Sequence, residues 1–205
     1  MIITAGEAPP AEAVGQWLAG AALVIAADAG LHTANAYGVR PGFVVGDFDS
    51  IADDGLLVGY DEEQIRRFPR DKDHTDTELA LRVARDEGCD ELIIIGGGGG
   101  RIDHLLGLVA LFERPDPPRA WISDTGIVSA ILDRTTEHGR VGERISFAPL
   151  GSVACRMESR GLRWPLDGLT WRRGDLGISN EFAEREVRVT IRSGRLLMIR
   201  TLGAP

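Results

Sequence analysis

Three short apolar runs, Leu23 to Ala27, Phe43 to Val45 and Leu92 to Ile95, each stop at an aspartate or a glycine. Helix-like stretches lie among them: Leu31 to Tyr37, closed by Gly38 and followed by Pro41, then a run through Leu79, Leu81 and Val83, and another through Leu105, Leu106, Val109, Ala110 and Leu111. The start Met1 to Thr4, the run Ile65 to Phe68 and Ala120 to Ile122 add strands, and Ala11 to Leu18 adds a helix after Pro9-Pro10. Strands alternating with helices predict a mostly parallel sheet, whose ligands bind at the carboxyl ends of the strands. Asp28, Asp47 and Gly96 to Gly100 all follow such ends.

After about Asp124 the texture changes. Short runs such as Ile127 to Leu132, Arg144 to Ala148, Val153 to Met157, Val187 to Ile191 and Leu196 to Ile199 are separated by Gly, Pro and Ser. That spacing predicts an antiparallel sandwich or barrel, with a domain boundary near Asp124 to Gly126. The expected division is therefore residues 1–124, an α/β domain, and 125–205, an all-β domain.

Between Asp47 and Glu78 lie 11 of the 31 acidic residues. The two ends of this stretch read Gly46-Asp47-Phe48-Asp49-Ser50 and Arg70-Asp71-Lys72-Asp73-His74-Thr75-Asp76-Thr77-Glu78. Aspartates in turns can do no more than cap local N–H groups. Two clusters of them, one at a strand end and one opening a helix, fit a hard cation such as Mg²⁺ better, because it takes a few carboxylates plus water and substrate phosphates. Thr75 and Glu78 form a capping-box pattern ahead of the apolar run. Lys72 is the only lysine, against 22 arginines, and it sits inside the acidic cluster. It can neutralise its neighbours or serve as a point charge for a triphosphate.

The formal net charge of −8 argues against broad binding to nucleic acid or an anionic membrane surface. Cys89 and Cys155 are too few and too separated for a disulfide framework or a zinc site, no apolar run approaches the ~20 residues of a membrane span, and the start lacks a signal-peptide pattern. The expectation is a cytoplasmic protein. Five consecutive glycines, Gly96 to Gly100, stand between a strand and a helix, where backbone N–H groups can meet an anion. They lack the Gly-Lys-Ser/Thr ending of a P-loop. Arg101, beside that loop, is placed for a phosphate or a base, whereas Asp103 can simply cap the helix. His32, His74, His104 and His138 fall in no nucleophile–base spacing. In the second half, Gly161 to Leu166, with Trp164, and Gly177 to Phe182, with Ser179 and Asn180, combine turn residues with groups able to stack or hydrogen-bond.

Taken together these pieces resemble the thiamine pyrophosphokinase family: Ala27-Asp28-Ala29-Gly30, Gly46 to Ser50, Lys72 to Glu78, Gly99 to His104, Gly161 to Leu166 and Gly177 to Phe182, in the family's order and across most of the chain. Ala29 stands where the family pattern has glycine. The resemblance implies an N-terminal mostly parallel α/β domain that binds nucleotide and metal, and a smaller C-terminal β-sandwich that binds thiamine and dimerises. It implies transfer of a pyrophosphoryl group from ATP to thiamine, giving thiamine diphosphate and AMP, with Mg²⁺, by a homodimer whose sites lie between subunits. Carried over by position, Asp47, Asp49 and Asp76 would hold Mg²⁺, with Lys72 and Asp73 also in the catalytic group. Asp28, Gly30, Ser50, Thr75, Gly99, Gly100 and Arg101 would line the nucleotide, and Asp103, Trp164, Ser179 and Asn180 the thiamine. The competing readings are a metal-dependent nucleotide hydrolase, which would consume ATP without thiamine, and a nucleotide-binding sensor, which would bind ATP without turnover.

Overall fold

The computed structural model describes residues 1–48 and 55–202. The chain divides into two compact units, one comprising the described residues of Met1–Leu106 with Trp121–Asp124, the other Gly107–Ala120 and the chain from Thr125 onward.

The first unit contains β1 (Ile2–Ile3), α1 (Ala11–Ala19), β2 (Ile25–Ala27), α2 (Gly30–Ala36), β3 (Phe43–Gly46), β4 (Ile65–Arg67), α3 (Asp76–Asp86), β5 (Ile93–Ile95), the start of α4 (Ile102–Leu111) and β6 (Ala120–Ile122). Its strands lie in the order β6-β5-β1-β2-β3-β4. The pairs from β5 to β4 are all parallel, with Ile2 level with both Ile94 and Ile25, Ala26 with Val44, and Gly46 with Arg67. Such strands are covered on both faces, which is why they read as unbroken apolar runs rather than alternating ones: β1, β2 and β5 are buried throughout. The parallel sheet expected from the sequence is therefore present, with its strands trimmed. Leu23 and Val24 lie outside β2, and the carbonyl of Leu23 accepts a bond from the Met1 ammonium at 2.7 Å.

Helix α3 begins as its sequence predicts. Thr75 Oγ1 accepts from the Glu78 N–H at 3.3 Å, and a Glu78 carboxylate oxygen accepts from the Thr75 N–H at 2.9 Å. Two otherwise orphaned N–H groups are thus satisfied, an arrangement worth about 1 kcal/mol. Its buried face, Leu79, Ala80, Leu81, Val83 and Ala84, packs over β1, β2 and β3.

The second unit holds β7 (Gly126–Ile131), β8 (Arg134–His138), β9 (Arg144–Leu150), β10 (Cys155–Arg160), β11 (Thr170–Trp171), β12 (Gly177–Glu181), β13 (Glu186–Ser193) and β14 (Arg195–Thr201). Two antiparallel layers result, β12-β9-β14-β7 and β11-β10-β13-β8. Alternate residues of each face the other layer: Ile145 and Phe147, Leu196 and Met198 from one, and Cys155 and Met157, Val187, Val189 and Ile191 from the other. This two-residue period is the signature of a sheet buried on one face, and of the two forms expected it is the sandwich that is found. Arg200 of β14 reaches across to the second layer. Its guanidinium bonds Glu137 of β8 at 2.7 Å and Glu143 at 2.6 Å, and covers the Phe182 ring at 5.1 Å.

Three strands were not legible as runs. β8 and β12 are largely polar, β11 has only two residues, and all three lie at the edge of their sheets.

Candidate active site

The carboxyl ends of β2 and β3 lie side by side in the sheet, and both are followed at once by an aspartate. Asp28 follows β2 in a left-handed conformation, φ 46°. Gly46 ends β3, and a Cβ on it would stand 3.2 Å from the Asp28 Cβ, so a side chain there would crowd Asp28. Asp47 comes next, and then Phe48, also left-handed at φ 61°. That conformation costs a bulky residue roughly 1 kcal/mol or more. The Phe48 ring is only 1% exposed and packs with Ala26, Leu31 and Val44, and burial worth about 2–3 kcal/mol offsets the strain. A buried ring on one side of Asp47 and Gly46 on the other fix where its carboxylate leaves the sheet. The guanidinium of Arg67, level with Gly46 on β4, lies over the Phe48 ring at 4.9 Å.

Lys72 joins this strand end to helix α3. Its Nζ stands 3.4 Å from Asp47 Oδ2 and 3.0 Å from Asp76 Oδ1, and all three side chains are largely buried. Burial pulls the Lys72 pKa down, but the bonds and charges of Asp76 and Asp47 outweigh it and hold the ammonium above its ordinary value. Asp76 moves up as well. Burial raises it, Lys72 lowers it, and the charges of Asp28 and Asp47 raise it again. Lys72 thus bridges the carboxylates of Asp47 and Asp76, and the charge of Asp28 also bears on Asp76. A cluster of carboxylates of this kind suits a hard cation. Among the described residues no three acidic, His or Cys side chains form a complete cage for a metal. Mg²⁺ is commonly held by only one or two carboxylates, with the remaining positions left to water and phosphate oxygens.

Asp49 and Ser50 lie outside the described residues. Asp73 and Thr75 are exposed on the approach to α3, and the Thr75 hydroxyl is engaged by Glu78, donating to it at 3.0 Å. Gly30 opens α2 and is buried. Much of the glycine run has a structural use: the N–H of Gly97 donates to Ala5 O at 2.9 Å, and Gly98 and Glu7 exchange bonds at 2.8 and 2.9 Å. Gly96 O accepts the indole N–H of buried Trp121 at 2.6 Å. Gly99 and Gly100 lead from this knitted segment into α4 with positive φ. Arg101 and Asp103, which the resemblance assigns to different substrates, pair with each other through contacts of 2.5 and 3.2 Å on an exposed surface. The Arg101 guanidinium holds the Asp103 carboxyl down at about 2.

In the second unit the structure brings Trp164 and Asn180 together. Asn180 is 5% exposed, and its side chain accepts from the Trp164 N–H at 3.2 Å and donates to the Trp164 carbonyl at 2.7 Å. The indole thus held is 50% exposed, with the Arg163 guanidinium 4.7 Å from its ring. Ser179 is exposed and left-handed at φ 61°, and its N–H donates to Ser146 Oγ at 3.0 Å.

Three residues near the site were missed from sequence: Arg67, Trp121 and Thr77. Thr77 carried a usable signal. It shares a helix face with Ala80, Leu81 and Ala84, where a buried hydroxyl needs a partner.

The chain is similar to known proteins along most of its length. A thiamine pyrophosphokinase of Bacillus subtilis is 28% identical over 193 residues, which span 87% of each chain. Thiamine pyrophosphokinase 2 of Arabidopsis thaliana is 26% identical over 168 residues, 75% of this chain and 62% of that longer protein. The crystal structure of the Bacillus subtilis thiamine pyrophosphokinase superposes with a TM-score of 0.83 at 25% identity, covering 99% of both chains. Among the described residues no helix is long and apolar enough to cross a membrane. The family models for the catalytic domain and the vitamin B1 binding domain of thiamin pyrophosphokinase match residues 14–120 and 131–196. The chain belongs to the thiamin pyrophosphokinase family and is an enzyme of pyrophosphoryl transfer to thiamine.

Proposed function

We propose that the pyrophosphoryl donor is ATP, that the reaction needs Mg²⁺, and that its products are thiamine diphosphate and AMP. The observation that carries this reading is the cluster of Asp47, Lys72 and Asp76, with Lys72 Nζ 3.4 and 3.0 Å from the two carboxylates at the carboxyl end of the sheet. Asp47, Asp49 and Asp76 would hold the cation, which when bound neutralises charge on the transferring phosphates. Lys72 adds a mobile positive charge, and Arg101 a second one on the nucleotide side. Asp28, Gly30, Ser50, Thr75, Gly99 and Gly100 form the rest of the nucleotide surface, with Asp73 in support.

The hydroxyethyl oxygen of thiamine attacks the β-phosphorus. The new bond is O–Pβ, the bond between Pβ and the α–β bridging oxygen breaks, AMP leaves, and the hydroxyl proton is released. Positioning and charge stabilisation supply most of the catalysis in such a transfer. Trp164, Asp103, Ser179 and Asn180 are assigned to thiamine, whose thiazolium cation suits an indole face. The division into a catalytic domain, 1–124, and a thiamine-binding and dimerising domain, 125–205, belongs to the same proposal, as does a homodimer with sites between subunits.

Purified protein given ATP and Mg²⁺, with and without thiamine, tests this through AMP, ADP and thiamine diphosphate followed together. Equal AMP and thiamine diphosphate, formed only with thiamine, is the expected result. ADP with thiamine monophosphate, or ATP loss independent of thiamine, would overturn it. On the acceptor side, Trp164→Ala should raise the thiamine KM by roughly tenfold with little change in kcat, the pattern of a lost binding contact.

A further inference from the structure

Two buried hydroxyls face each other beside the carboxylate cluster. Thr4 ends the first strand segment and Thr77 is the second residue of α3, and their Oγ1 atoms are 2.6 Å apart although 73 residues separate them in the chain. We propose that this pair is a positioning device that holds Asp76 at the metal and phosphate site, an inference that rests on the reading of Asp76 given above.

Thr4 touches the beginnings of three segments that carry the site. A Cβ on Gly30, which opens α2 after Asp28, would fall 2.9 Å from Thr4 Cα, and one on Gly96, which opens the glycine run, 2.5 Å from Thr4 O. Those two contacts are backbone approaches that leave no room for a side chain. The third, to α3, is a bond between side chains. Its role differs from that of the apolar face behind it. Leu79, Ala80, Leu81, Val83 and Ala84 resist separation of α3 from the sheet, but apolar contact has no direction and resists sliding poorly. A hydrogen bond is directional. The helix start is where such a restraint matters, because Asp76, the residue next to Thr77, carries the carboxylate that meets Lys72 Nζ at 3.0 Å. With the Thr77 hydroxyl tied to Thr4, the first turn of α3 is fixed against the sheet, and Asp76 stays within reach of Lys72.

Thr77→Val keeps the shape and removes the hydroxyl, Thr77→Ser keeps the hydroxyl, and Thr4→Val with Thr77→Val removes both hydroxyls without leaving one unpaired. Each is compared with the wild type for kcat, for thiamine KM, and for the Mg²⁺ concentration that half-saturates the rise in Tm in the presence of ATP. In Thr77→Val, kcat should fall roughly 10- to 100-fold, the cost of a small misplacement, with thiamine KM unchanged. The half-saturating Mg²⁺ should rise severalfold, and Thr77→Ser should restore both. The double variant should show the same losses with a Tm nearer the wild type, and it decides the matter if Thr77→Val does not fold. A lower Tm with kcat and Mg²⁺ half-saturation unchanged would make the pair purely structural and overturn the proposal. Wild-type protein that forms no thiamine diphosphate would overturn the pyrophosphoryl-transfer reading instead, and the Mg²⁺ half-saturation would then decide the positioning role by itself.

Discussion

Each unit of this protein sets one cation between two carboxylates, and the two clusters behave in opposite ways. In the second, the planar fork of Arg200 meets Glu137 and Glu143 at 2.7 and 2.6 Å, with a further bond to His138 O at 2.9 Å. Burial pushes the Glu143 pKa up, but Arg200 and the Arg140 N–H outweigh it and hold the carboxyl below its ordinary value. In the first, Lys72 offers a single charged point to Asp47 and Asp76, burial and then the charges of Asp28 and Asp47 outweigh it, and Asp76 ends above its ordinary value. A guanidinium satisfies two carboxylates through fixed, directional bonds, whereas an ammonium is a mobile point charge. The Arg200 cluster is complete as it stands and ties one layer of the sandwich to the other. In the Lys72 cluster the Asp76 carboxyl is instead less readily ionised than an ordinary one.

The largest expected effect tests the Lys72 cluster. Asp76→Asn should lower kcat by roughly 10³-fold, as loss of a charged group that acts on developing phosphate charge would. Its Tm should not fall. Because the folded pKa of Asp76 is raised, the folded protein binds its proton more tightly than the unfolded chain does. Ionised Asp76 therefore costs stability at neutral pH, and the cost is relieved as the pH falls through the folded value. A thermal melt at pH 7 in which the variant loses several degrees would show Asp76 to be a stabilising partner like Glu143, and the contrast would collapse.

Exchanging the cations sharpens the comparison. Lys72→Arg should lower kcat by roughly 10²-fold and raise the Mg²⁺ requirement, because a fork that engages both carboxylates competes with the metal. Its Tm without Mg²⁺ should be equal or higher. Arg200→Lys should cost about 2 kcal/mol, since one ammonium cannot hold both glutamates and the His138 carbonyl in a largely buried place. Its kcat, measured below the new melting transition, should equal the wild type. A loss of kcat in Arg200→Lys at full folding would give that cluster a functional role.

One side of this contrast could be read before the structure, and the side that could not has a physical reason. Asp47, Lys72 and Asp76 were found because strand ends and helix starts are written locally, in apolar runs that stop at Gly or Asp and in the Thr75–Glu78 cap. Strands β8 and β12 were not, because an edge strand needs little apolar sequence; Ile178 of β12 is exposed. The turn-like signal at Ser179 was sound, since its φ is 61°. It marks an irregularity where β12 pairs with β9, a pairing fixed by a distant strand. Asn180 stood out as a ligand candidate, and the structure adds that its buried side chain bonds the Trp164 backbone. Thr4 with Thr77, and Arg200 with its glutamates, join residues far apart in the chain, so no local pattern announces them.

The smallest expected effect is the one that separates the clusters by sign. Glu143→Gln keeps the shape but exchanges a charge-assisted bond to Arg200 for a neutral one, which should cost about 1 kcal/mol at pH 7. The folded pKa of Glu143 lies below the ordinary 4.5, so its contribution is fully present above 4.5 and is lost as the pH falls through the folded value. The stability gap between wild type and Glu143→Gln, from urea melts at several pH values, should therefore be constant from pH 7 to about 5 and shrink below that. Asp76→Asn should show the reverse, a variant at its greatest relative advantage at neutral pH that loses the advantage as the wild-type carboxylate takes up its proton. Two gaps that moved in the same direction with pH would mean that the clusters differ in strength alone. Opposite slopes would mean that one carboxylate is held ionised for the fold, and the other is held ionised against the fold's preference.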